Sequence, residues 1–277
     1  MNTYEVEYKQ KNRFSFGKNW QSFSPNIDGE RIAVAKSSLA SFLGGENSIS
    51  NKTFVDIGCG SGLSSLAAFL LGAKQIISVD VDEYSISCTK DLRKKYHNPK
   101  NWNVLSGSAL DRKFLAGLDK FDIVYSWGVL HHTGDMYRAI DNTIGLANSR
   151  GVIYLAIYNR FTTRWHGGTS DYWLRLKQWF NKSNNITKML ALYVFMLYQF
   201  ITIRIFQRIN PISYITNYKK NRGMSWKHDL IDWLGGLPYE YASPDEIINY
   251  LGKKGWACKK LIFRNGIGCN EFLFVRV

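Results

Sequence analysis

The chain has 277 residues, 45% of them hydrophobic, which favours one large domain, or one domain with an insertion, over two separate domains. Lys and Arg outnumber Asp and Glu by 36 to 22, and the formal charge of +14 favours anionic partners such as phosphates or acidic lipid head groups. The four cysteines lack zinc-type spacing and disulfide-scaffold density, and residues 1–18 contain no apolar run, so we expect a cytoplasmic protein without a metal site or a signal peptide.

Helices and buried strands alternate over the first 159 residues. Apolar residues at helical spacing predict a helix over 31–43, which Gly44 and Gly45 end. Further helices are predicted over 61–71, 82–96 (with Asp82 as N-cap) and 135–148, and strands over 53–57, 76–81, 102–105, 121–126 and 152–158. Strands that alternate with helices of this length predict a parallel sheet covered on both faces.

The alternation stops after residue 159 and resumes about 80 residues later, at Ser243 and Pro244. An N-cap serine, a proline at the first helical position and two acids in the first turn predict a helix that ends near residue 255. Residues 256–263 and 271–277 then predict an antiparallel hairpin that closes the sheet. The expected fold is α/β, with a seven-stranded, mostly parallel sheet and a mainly helical insertion after strand 5.

The strongest motif follows the first strand and reads Val55-Asp56-Ile57-Gly58-Cys59-Gly60-Ser61-Gly62. Glycines at alternate positions allow a sharp turn and a close approach of the backbone to a ligand, and the next helix directs its free N–H groups at that ligand. The dinucleotide fingerprint G-x-G-x-x-G is not met, because Leu63 occupies the position of its third glycine.

This motif resembles the first motif of class I S-adenosylmethionine-dependent methyltransferases, which have a Rossmann-like fold. The resemblance implies S-adenosyl-L-methionine as the cofactor. It also implies that Asp56 organises the loop around the amino-acid end of the cofactor. Asp80, at the end of the second strand, would accept both ribose hydroxyl protons; Asp82 could do the same but is favoured as a helix cap.

Further segments extend the resemblance over most of the chain. Ser108 and Ala109 stand where relatives carry an acid and alanine beside the adenine, and Trp127 would offer its carbonyl near the sulfonium. Residues 13–20 resemble an N-terminal segment of a bacterial subset, in which Phe16 and Trp20 would cover the cofactor; packing on the core is the alternative. The expected cofactor contacts are Phe16, Trp20, Asp56, Gly58, Cys59, Gly60, Gly62, Asp80, Val81, Ser108, Ala109 and Trp127.

Methyl transfer to a hydroxyl needs positioning and a base. His131 and His132, which follow the fourth strand, are candidate bases because histidine is neutral near pH 7. His228, oriented by Asp229, is the other candidate. Packing roles for all three histidines remain open at this stage.

The insertion carries most of the positive charge. Twelve Lys or Arg and two acids lie between 160 and 230, interleaved with aromatic residues that include Trp165, Trp173, Trp179, Tyr193, Tyr198, Tyr214 and Tyr218. Residues 186–206 contain about fifteen mostly apolar positions between charges, short of the roughly 20 that a transmembrane helix needs. We expect a buried or interfacial helix.

This composition predicts methylation of a hydroxyl on a lipid-linked, polyprenyl or glycan acceptor, by a protein peripheral at the inner membrane face. An RNA or small-molecule acceptor is the first alternative. A cap of helices that buries Leu190, Phe195 and Leu197 over the active site is the second, and a non-catalytic cofactor-binding protein is the third. The predicted division is an N-terminal lid and first helix (1–45), a cofactor-binding core (46–159), the insertion (160–235) and the rest of the core sheet (236–277).

Overall fold

A seven-stranded sheet in the order β3-β2-β1-β4-β5-β7-β6 forms the centre of the protein. The computed structural model describes residues 14–162, 169–205, 207–220, 223–264, 266 and 268–277. The strands are β1 (Thr53–Ile57), β2 (Gln75–Asp80), β3 (Trp102–Ser106), β4 (Phe121–Trp127), β5 (Ala147–Tyr158), β6 (Trp256–Ile262) and β7 (Cys269–Arg276). The first five strands pair in parallel, and β7 lies antiparallel between β5 and β6. The predicted fold class is therefore confirmed.

Helices cover both faces of this sheet. They are α1 (Phe16–Phe23), α2 (Gly29–Leu43), α3 (Leu63–Leu70), α4 (Glu83–Lys95), α5 (Arg112–Ala116), α6 (Met136–Ile144), α7 (Ser170–Lys182), α8 (Asn185–Ile205), α9 (Pro211–Asn217), α10 (Trp226–Gly235) and α11 (Pro244–Gly252). Phe54 of β1 packs with α2 and α3, whereas its neighbour Val55 packs with α6 and α11. Successive side chains of a strand point to opposite faces, so the unbroken apolar sequence of β1 is buried on both sides.

Three predicted boundaries were wrong. The helix predicted over 135–148 ends at Ile144, and β5 begins at Ala147 rather than at residue 152. Pairing of Ala147 with Phe121 of β4 extends the strand, and such a contact between distant residues leaves no local signal. The helix α11 ends at Gly252, before residue 255, and the short helix α5 was not predicted.

The insertion is helical, as predicted, and has its own apolar cluster. Trp173 of α7, Phe195 of α8 and Trp233 of α10 are buried in this cluster. Leu190 and Leu197 are 63% and 60% exposed, so the alternative of a helical cap that buries them does not hold for these two residues, whereas Phe195 is buried as that alternative required. By length and composition alone, α8 could cross a membrane, with a mean hydropathy of 1.6. Predictions for residues 1–13, Arg164 and Trp165 lie outside the described residues.

Candidate functional site

A cavity of about 1410 Å³ lies at the carboxyl ends of β1, β2 and β4. Ligands of open α/β sheets bind at this edge, because the loops that leave the strands form a crevice there. The cavity extends from the glycine loop after β1 to the side chains of α8 and α10 in the insertion. It therefore joins the predicted cofactor site to the insertion.

The glycine loop forms one wall of the cavity with bare backbone. Gly58, Gly60 and Gly62 have φ angles of 83°, 53° and 79°, in the left-handed region that favours glycine. A Cβ on Gly58 would lie 2.3 Å from Cγ2 of Val129, and a Cβ on Gly60 would lie 2.9 Å from Nε1 of Trp20. Gly58, Cys59 and Gly60 line the cavity, whereas Gly62 precedes α3 as its N-cap.

Asp80 joins this loop to the end of β2. Its Oδ2 accepts the Gly60 N–H at 2.9 Å, and its Oδ1 accepts the Asp82 N–H at 2.9 Å. Burial raises the pKa of Asp80 to about 6, and the two backbone N–H groups partly oppose this shift. Val81, the next residue, also lines the cavity.

Asp56 lies beneath the loop in a buried polar network that was not predicted. The Ser65 hydroxyl donates to its Oδ2 at 2.6 Å, the Ser78 hydroxyl donates to Ser65 at 2.6 Å, and the Trp102 indole donates to Ser78 at 2.8 Å. Burial raises the pKa of Asp56 to about 7, although the Ser65 hydrogen bond opposes the shift. The network connects β1, α3, β2 and β3 and holds the carboxyl group in the cavity wall.

Ser108, Ala109 and Trp127 follow β3 and β4 and line the same cavity. The Ser108 hydroxyl oxygen accepts the Leu110 N–H at 3.0 Å, so this side chain also shapes the turn after β3. Trp127 is the last residue of β4, and its side chain is partly buried. All three positions are therefore next to the space that the glycine loop encloses.

The helix α1 covers this space and brings Phe16 and Trp20 into the cavity wall. The Gly17 N–H donates to Oδ2 of Asp82 at 3.2 Å, and Asp82 also caps α4, as predicted. Asn19 donates to the His228 carbonyl at 2.9 Å, which ties α1 to the insertion. The N-terminal segment thus bridges the insertion and the part of the cavity next to the glycine loop and Asp80, called the cofactor half from here on.

Of the three candidate bases, only His132 lines the cavity. Its Nδ1 lies 2.6 Å from the Pro238 carbonyl oxygen, which can only accept, so Nδ1 carries a proton and the neutral ring has its lone pair on Nε2. The ring centroids of His132 and Phe16 are 4.6 Å apart, so this histidine contacts the covering helix.

The structure does not bring His131 or His228 to the cavity, contrary to the prediction. His131 is fully buried and its Nδ1 accepts the Tyr158 N–H at 3.3 Å; burial holds its pKa well below the usual value. His228 contacts the Ser225 and Ser22 hydroxyls, and burial lowers its pKa. Both histidines pack between secondary-structure elements, whereas their neighbours in sequence, His132 and Asp229, line the cavity.

Comparisons with known proteins agree with this geometry. The family described as ribosomal protein L11 methyltransferase (PrmA) matches residues 42–127. A ribosomal protein L11 methyltransferase of Staphylococcus haemolyticus is 25% identical over 149 residues, 50% of this chain and 46% of the relative. One from Psychrobacter sp. is 36% identical over 80 residues, 28% of this chain and 26% of the relative. The chain thus spans less than half the length of these relatives.

Solved structures extend the likeness to the whole fold. Magnesium protoporphyrin IX methyltransferase from Synechocystis PCC 6803, with bound SAH, has a TM-score of 0.56 at 14% identity over 99% of this chain and 100% of that chain. PKMT2 from Rickettsia typhi, in complex with AdoHcy, has a TM-score of 0.56 at 13% identity over 88% of this chain and 52% of that chain. This chain has the class I S-adenosylmethionine-dependent methyltransferase fold.

Beyond the glycine loop and Asp80, the cavity has one acidic residue that was not predicted, Asp232, beside Asp229, which was predicted to orient His228. Asp232 of α10 lines the cavity, and its Oδ1 accepts a proton from the Asn19 amide at 2.8 Å. Burial raises the pKa of Asp232 well above its usual value. Asp229, which also lines the cavity, accepts the Tyr218 hydroxyl at 2.8 Å. The i,i+3 spacing of the two acids was a signal that they share a helix face.

The apolar cluster of the insertion, which contains Trp233, also surrounds a buried lysine. Lys177 of α7 donates to the Trp233 carbonyl, and its Nζ lies 4.5 Å from the Trp233 ring centroid and 4.7 Å from that of Tyr239. Burial lowers the pKa of Lys177 to about 7, and Asp232 opposes the shift.

Within the described part of the chain, no three His, Cys, Asp or Glu side chains are grouped as metal ligands would be.

Proposed function

We propose that the protein is an S-adenosylmethionine-dependent methyltransferase. The observation that carries the proposal is the glycine loop hydrogen-bonded to Asp80 on the wall of a large cavity. S-adenosylmethionine has a ribose diol, and a carboxylate at the end of the second strand can accept hydrogen bonds from both of its hydroxyl groups. Its nucleoside also needs a close approach to backbone, which glycines allow. In the structure itself, a Cβ at Gly58 or Gly60 would already meet Val129 or Trp20. The residues present therefore fit this cofactor.

Each group around the cavity then has a distinct task. When bound, the cofactor supplies an electrophilic methyl group on a sulfonium. Asp80 binds the ribose, Asp56 supports the loop from below, and the α1 side chains Phe16 and Trp20 exclude water from above. His132 accepts the acceptor's proton at Nε2, because the Pro238 carbonyl keeps the other ring nitrogen protonated.

The part of the cavity lined by α8, α9 and α10 is called the acceptor half from here on. We propose that it binds an amphiphilic acceptor whose hydroxyl group is part of a lipid-linked molecule, a polyprenyl chain or a glycan. The cavity exceeds the 300–1,000 Å³ that is usual for ligand sites, so it has room for a second, sizeable molecule beside a nucleoside. Phe195, Tyr198, Tyr214 and Trp226 from the insertion give this half an aromatic wall. Aromatic faces pack against apolar chains and sugar rings alike.

The match to the ribosomal protein L11 methyltransferase family ends at Trp127, before the insertion begins. It therefore covers the glycine loop and Asp80 but none of the α7–α10 side chains. For this reason we do not transfer the protein substrate of those relatives to this chain. We propose instead that residues 160–235 select the acceptor, and that the protein works at the cytoplasmic face of the membrane.

The test is transfer of an isotope-labelled methyl group from S-adenosylmethionine to an extract of the source cells. The extract is divided into lipid, glycan, RNA and protein fractions, and each is analysed by mass spectrometry. Label in the lipid or glycan fraction supports the proposal, whereas label only in RNA or protein refutes the acceptor class. If calorimetry detects no binding of S-adenosylmethionine, the methyltransferase proposal fails and a scaffold role remains.

The His132→Asn variant tests the base. General-base catalysis contributes roughly 10²–10⁴-fold, so turnover should fall by at least about a hundredfold. Cofactor affinity should change little, because the proposed nucleoside contacts come from other residues. The His228→Asn variant is the matched control, since His228 does not line the cavity. Equal turnover by the two variants would exclude His132 as the base.

A further inference from the structure

The helix α8 exposes far more apolar surface than it buries. Only Phe195 and Ile203 are buried among its side chains. The exposed apolar residues, called the α8 surface from here on, are Ile186, Met189, Leu190, Tyr193, Val194, Leu197, Tyr198, Phe200, Ile201 and Ile205, with Ile209 and Ile212 after the helix. A soluble monomer rarely leaves a contiguous apolar patch of this kind without a partner.

The sequence on either side of α8 is basic, although Lys177 is buried and the acids Asp229 and Asp232 of α10 line the same cavity as α8. Residues 172–228 include ten Lys or Arg and no Asp or Glu. Lys182 precedes α8, while Arg204 lies in its last turn and Arg208 follows it, and all three are exposed. An apolar face with basic side chains at both ends matches an interfacial helix on an anionic bilayer.

Two other occupants fit the α8 surface less well. A second copy of the chain would bring the same basic ends against each other in a two-fold contact, unless the copies were offset. Residues 1–13 contain Met1, Val6 and two tyrosines among five charged residues, too few apolar side chains to cover so large a surface. Charge complementarity therefore favours acidic lipid.

The packing of α8 favours a helix that lies on the bilayer rather than crossing it. The Phe195 and Trp173 ring centroids are 5.5 Å apart, and Phe195 belongs to the apolar cluster that also contains Trp233. This side of α8 is thus attached to the folded domain, so the helix cannot be surrounded by lipid. Its remaining faces are free to enter the head-group region.

We propose that the α8 surface docks the protein on an anionic membrane and places the mouth of the cavity at the lipid. The cavity wall includes Tyr198, Gln199 and Thr202 of the same helix, so the docking helix is also a wall of the acceptor half. A lipid-linked acceptor could then reach the cavity without leaving the interface. This assignment of a partner rests on the proposed function.

The test is flotation of the purified full chain with vesicles of phosphatidylcholine alone or with 30% phosphatidylglycerol. We expect the protein to bind the anionic vesicles, less tightly as salt increases, and to bind neutral vesicles weakly. Leu190→Asp should reduce binding at least about tenfold, because it places a charge on the apolar face. Val277→Asp is the matched control, since Val277 is 87% exposed and lies far along the chain from α8.

A charge-neutralising variant tests the basic ends separately. Each basic side chain near an anionic surface contributes about 1 kcal/mol, so Arg204→Gln should weaken binding about fivefold without changing the fold. Absence of binding to either vesicle overturns the proposal. An equal loss of vesicle binding in Leu190→Asp and Val277→Asp also overturns it. So does a dimer, detected by light scattering, that dissociates in Leu190→Asp.

Calorimetry with S-adenosylhomocysteine on the same preparations separates the two proposals. Normal nucleoside binding without vesicle binding would overturn the docking surface and leave the methyltransferase proposal intact. Vesicle binding without nucleoside binding would overturn the methyltransferase proposal and leave the docking surface intact.

Discussion

Replacing Asp80 by Asn should weaken nucleoside binding about a hundredfold while the fold persists. The carboxylate already accepts the Gly60 and Asp82 N–H groups, and in the proposed complex it accepts two ribose hydroxyl protons as well. Hydrogen bonds to a charged group contribute roughly 1.5–3 kcal/mol each. Asn retains one neutral acceptor oxygen, so we expect a loss of about 3 kcal/mol or more, which is about a hundredfold in affinity.

Isothermal titration of S-adenosylhomocysteine into the wild type and Asp80→Asn measures this loss directly. Asp91→Asn makes the same chemical change on the exposed side of α4 and serves as the control. Asn keeps one acceptor oxygen, so one of the two backbone N–H groups loses its partner; removal of the buried charge offsets part of that cost, and thermal unfolding should show only a modest loss of stability in Asp80→Asn. Unchanged affinity in Asp80→Asn would refute the placement of the ribose.

Three further outcomes are expected. Because the pKa of Asp80 is about 6, its ionised form is lost below that pH, and between pH 7 and pH 5 the affinity for S-adenosylhomocysteine should fall about tenfold more in the wild type than in Asp80→Asn, where Asp56 still titrates; parallel curves would contradict this. Trp20→Ala removes the ring that lies against Gly60 and should weaken nucleoside binding roughly tenfold by calorimetry, and unchanged binding would mean that α1 does not cover the cofactor. Ser243→Ala removes the capping box with Glu246 and should lower the thermal midpoint by about 3 °C, an effect of about 1 kcal/mol, without altering nucleoside affinity.

Much of the cofactor half could be predicted because its signals are local. The glycines between Gly58 and Gly62 follow directly on a buried strand, and Asp82 begins α4 as its N-cap, so both features depend on residues within one turn. Asp80 was recognisable because the end of one parallel strand lies beside the end of the next.

The acceptor half could not be assigned in the same way, because its side chains are brought together across the chain. Asn19 and Asp232 are hydrogen-bonded although they lie 213 positions apart in the sequence, so no local pattern predicts this pair. His131 and His132 are adjacent in sequence, yet only His132 reaches the cavity, since consecutive side chains point in different directions.

The order of strands and helices, the glycine loop and the basic character of the insertion were readable from the sequence, because each depends on neighbours along the chain. The exposure of Leu190 and Leu197, the burial of His228 and the early start of β5 at Ala147 were decided only by tertiary packing. An apolar helix offers several faces to a core, and which face is buried depends on partners such as Trp173, which lie elsewhere in the chain.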